Sequence, residues 1–75
     1  MIFDLTIDKK NIGVGKLSYD AKTNEAQFWG LDDNFLSSLC RVRLVFVSAD
    51  VIAIDGYDIR PRHPVYREWF LRQVK

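Results

Sequence analysis

The sequence predicts an α+β domain, a strongly bent antiparallel sheet of about five strands with a C-terminal helix packed on one face. Three observations lead there. At the start, apolar Phe3, Leu5 and Ile7 alternate with polar Asp4 and Thr6, the period of a half-exposed strand. In the middle, the run from Val42 to Ile54 alternates with a charge only at the Arg41/Arg43 end, is otherwise apolar on both faces of a strand pair, and is interrupted at Ser48-Ala49-Asp50. At the end, Tyr66, Phe70 and Val74 recur at helical spacing, broadened by Val65, Trp69 and Leu71.

Each element follows in order. Phe3 to Ile7 is the first strand, and Asp8-Lys9-Lys10-Asn11 supplies its turn. Ile12 to Tyr19 is a second strand whose apolar phase slips between Val14 and Leu17. A bulge near Gly13 or Gly15 would absorb the slip, since glycine accepts the backbone angles a bulge demands. Asp20 to Asn24 is a polar hairpin loop, and Glu25 to Trp29 returns as the third strand of a meander. After Gly30, Asp32 or Asp33 is placed to cap a short helix with Phe35, Leu36, Leu39 and Cys40 on one face. The Val42–Ile54 hairpin follows, its second strand running on through Tyr57 and Ile59 with a bend at Gly56. Pro61 and Pro64 bracket a stiff connector, and Pro64 suits the first position of the last helix, where its missing amide hydrogen is not needed. Glu68 and Arg72 stand four residues apart, a favourable helical pair.

Composition narrows the class. With 75 residues the chain has room for a single domain, residues 1–75, and one of this size buries only about 60% of its unfolded surface. Hydrophobic residues make up 48%, enough for a core without disulfide staples. A lone cysteine, Cys40, cannot form an internal disulfide or a cysteine-based zinc site, which suits a reducing compartment. The N-terminus lacks the basic and apolar regions of a signal peptide, and no apolar run reaches membrane-spanning length. A cytoplasmic protein without membrane contact is expected.

The candidate chemistry is sparse. Cys40 and His63 are the sole Cys and His, so any nucleophile–base pair would need these two together; on the apolar face of a short helix, Cys40 reads instead as a packing residue. Asp32-Asp33 and Asp55-Gly56-Tyr57-Asp58 lack calcium-loop spacing and are explained by capping and by a turn. Gly13-Val14-Gly15 fails as a phosphate loop, because Ser18 stands where a third glycine belongs and no helix follows. No catalytic residue, metal ligand or cofactor is assigned.

Charge is balanced overall at +1 but unevenly placed: residues 60–75 hold five basic side chains against Glu68 alone. Within that segment Arg60, Arg62, His63 and Arg67 are candidate contacts for an anion or nucleic acid, with Tyr57, Tyr66 and Trp69 near in sequence. The domain as a whole is not basic, which weakens that reading. The surplus apolar surface of the hairpin carries more weight. One short helix cannot cover both parities of a strand pair, so Val45, Val47, Ile52 and Ile54 form a candidate oligomer interface. The expected function is thus a non-enzymatic protein-interaction module that self-associates, most simply as a two-fold homodimer, with nucleic-acid binding as the alternative. Closure into a small OB-like, partly open barrel is the rival architecture, because it would bury the same residues within one chain.

Overall fold

The computed structural model describes residues 1–75 and contains six antiparallel strands and no helix: β1 (Phe3–Ile7), β2 (Lys10–Asp20), β3 (Glu25–Gly30), β4 (Phe35–Phe46), β5 (Val51–Asp58) and β6 (Val65–Gln73). Each strand pairs with the next, and β6 returns to pair with β1, so the sheet closes into a barrel. The α+β expectation is therefore overturned. Of the two architectures weighed, the small barrel is the nearer. It differs from the OB arrangement in being fully closed and in running up and down through six strands in chain order.

The C-terminal segment was misread because a spacing of four residues does not distinguish helix from strand. Residues i and i+4 share a face in both, so Tyr66, Phe70 and Val74 do lie together, but on the outside, and all three are exposed. The inward set is Val65, Arg67, Trp69, Leu71 and Gln73, an alternation that the charge at Arg67 disguised. Val65, Tyr66, Trp69 and Phe70 are strand-favouring types, and the register Leu5↔Leu71 and Ile52↔Leu71 places β6 between two neighbours. Extended backbone also separates Glu68 from Arg72 by about 13 Å at ~3.3 Å per residue, so the anticipated helical ion pair does not form.

The short helix after Gly30 is likewise replaced by strand β4. The local signal was sound but belonged to a turn. Asp32 accepts the Asn34 backbone amide at 3.3 Å through Oδ1, the same side-chain-to-amide bond that a helix cap makes. Gly30 and Asn34 then bond across the turn at 2.8 Å, and the chain returns beside β3 instead of coiling. Farther along β4 the pairing slips between Cys40 and Arg43, and Arg41 adopts a φ of 51°. That bulge puts Leu39 and Val42, three residues apart, both inside the barrel, which is why strict alternation fails here.

In the central hairpin Leu44 faces Ile54 and Val45 faces Ala53. Even-numbered residues pair with even-numbered ones, so the candidate interface divides. Ile54 is buried in the core at 1% exposure and Ile52 packs against that core, whereas Val45 and Val47 are exposed on the outside. A register shift opposite Leu5 and Thr6 leaves Ile12 as a bulge, with Gly13 at φ 134°. Pairing then runs unbroken from Gly13 to Asp20, so the phase slip is no defect: Val14 faces outward and Leu17 packs on the core. Two positions after Gly13, Gly15 has no room for a side chain. A Cβ there would strike the Trp29 carbonyl oxygen and come within 2.8 Å of the Phe28 ring.

The core is a ring of inward residues: Phe3, Leu5, Ala26, Phe28, Leu39, Val42, Ile54, Trp69 and Leu71. Trp69 is its largest fully buried side chain and meets Phe28 edge to face, with ring centroids 6.4 Å apart. Its indole Nε1 is buried without a protein hydrogen-bond partner. Trp69→Ala should lower stability by about 3–5 kcal/mol, a large share of what a small domain has. Phe70→Ala, on the outer face, should cost at most about 1 kcal/mol. Urea midpoints for the two variants check this difference, and the reverse order would mean that the strand is inverted.

Candidate interaction surface

Strand register builds the surface from rows of outward side chains. Val45, Ala53, Phe70 and Thr6 stand side by side across β4, β5, β6 and β1. Val45 is 48% exposed and Phe70 42%, so this row is an apolar band open to solvent. Toward the chain termini, Val51 lies beside Arg72, and Val47 bonds through its amide to the Val51 carbonyl at 3.0 Å. On the other side of the band, Arg43, Asp55 and Glu68 form a charged row, and Asp8 follows Glu68 through backbone pairing at 2.9 Å. Between band and charged row is an open hollow of about 550 Å³, floored by Ala53 and Phe70 and rimmed by Asp8, Lys9, Asp55 and Glu68.

Two of the carboxylates around the hollow are already matched. Asp55 accepts the Arg43 guanidinium at 2.8 Å, and that bond holds its carboxyl below the ordinary range. Asp8 accepts the Glu68 amide at 3.0 Å and Arg67 at 2.8 Å, in that order of effect, and its carboxyl is lowered too. Three nearby charges have no such partner: the Lys9 ammonium on the rim and two side chains of β6. The carboxylate of Glu68 and the guanidinium of Arg72 make no side-chain hydrogen bond or ion pair, and they stand two positions to either side of Phe70 on one strand.

The basic segment meets a different fate from the one its sequence suggested. Arg60 folds onto Asp58, donating at 2.9 Å to Oδ1 and 2.7 Å to Oδ2, and its ring of contacts extends to the Ser37 hydroxyl and the Phe35 face. Asp58 points into the barrel mouth, 5% exposed, and Arg60 holds its carboxyl low. Arg67 is spent on Asp8. Arg62 and His63 remain exposed in the loop with no bonded partner, so the four candidate contacts do not assemble into one cationic site. Of the candidate interface residues, Val45 and Val47 belong to the outer band and Ile52 and Ile54 do not. Ala53, Phe70, Glu68 and Arg72 were missed; the alternation through β6 was the signal that would have exposed them.

Cys40 is neither helical nor a core residue. It sits half-buried on the outer parity of β4, opposite Glu25 and Tyr57, with Sγ 3.9 Å from Glu25 Oε2. Burial first, and then the Glu25 carboxylate, push its thiol above the ordinary value, which keeps it protonated and a poor nucleophile. No hydrogen bond joins it to His63. The acidic pairs are dispersed as well: Asp32 and Asp33 shape the β3–β4 turn, while Asp55 and Asp58 lie on opposite sides of β5. Gly13 and Gly15 lie within β2, with no helix after them to complete a phosphate loop.

Two measurements check these assignments. Labelling of Cys40 by a thiol reagent near neutral pH should be slow, and Glu25→Gln should speed it by removing the carboxylate that raises the thiol. For acid stability, Asp8, Asp55 and Asp58 all have native values below that of the unfolded chain, about 3.9 for Asp. Their contribution is complete above that value and is lost as pH falls through the native ones. The thermal midpoint should hold from pH 7 to about 5 and drop below about 4, and Asp58→Asn should make the drop shallower.

Compared with models of known protein families, with curated proteins and with solved structures, the chain matches none.

Proposed function

We propose that this protein is a non-enzymatic interaction module that self-associates through the outer face of β4, β5 and β6. The observation that carries the reading is the band formed by Val45, Ala53 and Phe70, extended by Val47, which barrel closure leaves facing water. Burial of apolar side chains at about 25 cal/mol per Å² rewards covering such a band. With a net charge of +1, two copies approach without long-range repulsion. The polar groups support the same reading. The carboxylates of Asp8, Asp55 and Asp58 are engaged by arginines, and the one thiol is held in its unreactive form. No helix is long and apolar enough to cross a membrane. We place the protein in the cytoplasm, where a lone half-buried thiol is stable in the reduced state.

Nucleic-acid binding through Arg62, His63 and the neighbouring arginines is the competing outcome. It draws on the closed small barrel, but two of its four contacts are committed to Asp58 and Asp8. One experiment separates the readings. Light scattering with simultaneous absorbance at 260 and 280 nm should report a dimer whose mass follows concentration, free of nucleic acid. Val45→Glu should yield a folded monomer, since Val45 lies outside the core. A wild-type protein that stays monomeric at high concentration would overturn the proposal, and bound oligonucleotide would install the alternative.

A further inference from the structure

The geometry points to one particular dimer: two copies of this chain stacked face to face about a two-fold axis that crosses β6 over Phe70, with Glu68 of each copy meeting Arg72 of the other. This inference rests on the self-association reading above and specifies its partner and its register.

The two unmatched charges of β6 set the register. Glu68 and Arg72 are exposed, opposite in sign, and equally spaced about Phe70 on the outward parity of β6. Face-to-face packing of outer surfaces requires an axis lying in the plane between them, and such an axis can run along the strands or across them. An axis along β6 stacks Glu68 on Glu68 and Arg72 on Arg72, two repulsive contacts at close range. An axis across β6 reverses the strand, keeps Phe70 on Phe70, and brings each Glu68 over an Arg72. Charge complementarity selects the second arrangement.

On β5 and β4 this arrangement brings no like charges together. On β5, Ala53 falls at the centre beside Phe70, and Asp55, already held by Arg43, lies over Val51. On β4, Val45 is central and Val47 lies over Arg43. On β1, Asp8 would lie over Asp4, an unfavourable pairing. Because the outer surface of a barrel is convex, contact falls away on either side of its centre, and Asp8 is already neutralised by Arg67. The hollow of about 550 Å³ beside Phe70, with Glu68 on its rim, gives the incoming guanidinium of Arg72 room to approach. Phe70 supplies the buried aromatic anchor around which such interfaces concentrate their affinity.

Charge swapping tests this. Glu68→Arg and Arg72→Glu each turn both reciprocal contacts repulsive, and each alone should weaken dimerisation about tenfold or more. Mixed in equal amounts, the two variants should form a heterodimer, because every cross-copy contact is then complementary; the doubly swapped chain should dimerise about as tightly as the wild type. Both side chains are exposed and unpaired, so circular dichroism and thermal midpoints should stay near wild-type values and show that folding is intact. Heterodimer formation should fade as salt is raised, reflecting its ionic origin. A dimer that Val45→Glu disrupts but that ignores the charge swaps, or variants that fail to pair on mixing, would overturn this geometry while leaving self-association standing. A monomeric wild-type protein would overturn both.

Discussion

The ladder between β1 and β6 is the constraint from which the rest of the molecule follows. It joins the first strand to the last through Phe3↔Gln73, Leu5↔Leu71 and Ile7↔Trp69, and it converts an open meander into a barrel without free edges. An open six-stranded sheet of 75 residues would leave one face bare, having nothing else to lay against it. Closure turns one face wholly inward, so the sheet becomes its own second layer. The dimensions of the interior then decide which side chains fit. Trp69 and Phe28 fill the middle edge to face, and Gly15 leaves the Phe28 ring the space it occupies.

Closure also explains the distribution of charge. The β1–β2 and β5–β6 connections meet at one mouth of the barrel, where Arg67 at the start of β6 reaches Asp8 and Arg60 folds back onto Asp58. Asp58 is inside because its parity on β5 puts it there, and a buried carboxylate is costly unless partnered. Arg60 meets that need with two side-chain bonds and one backbone bond, then covers Phe35 with the rest of its guanidinium. Three of the five cations in what looks like a cationic tail, Arg60, Arg67 and Lys75, are paired in the folded chain with Asp58, Asp8 and Asp50 from the acidic first 59 residues.

The outer surface is what remains after the interior is satisfied. A closed barrel has one apolar face to hide, but β4, β5 and β6 carry apolar side chains on both parities. The second set, Val45, Ala53 and Phe70, stays outside in a single row because hairpin register aligns it there. A domain this small has little stability to spare. Exposed apolar area of this kind gains more from a partner than from the chain itself, and the unmatched charges of Glu68 and Arg72 border the same row.

Much of the local structure was legible in the chain itself. The alternation of Phe3, Leu5 and Ile7, a bulge beside Gly13 and the two-sided apolar hairpin are consequences of neighbouring residues and stand in the fold, as does the first half of the Asp8–Asn11 turn, whose Lys10 and Asn11 belong to β2. So does the surplus of apolar surface, with Val45 and Val47 among its members. Two segments needed the whole structure. Phe35 to Cys40 and Val65 to Val74 carry spacings that helix and strand share, and both became strands because β3, β5 and β1 presented edges whose amides and carbonyls required partners. Pairing across 60 or more residues cannot be read from local spacing. With the register of the strands between, it decided that Ile52 and Ile54 turn inward, that Phe70 turns outward, and that Arg67 is consumed by Asp8. The sequence by itself determined how much must be buried; the closed ladder determined which side of each strand is buried, because register, set by every strand at once, assigns each side chain to one face or the other.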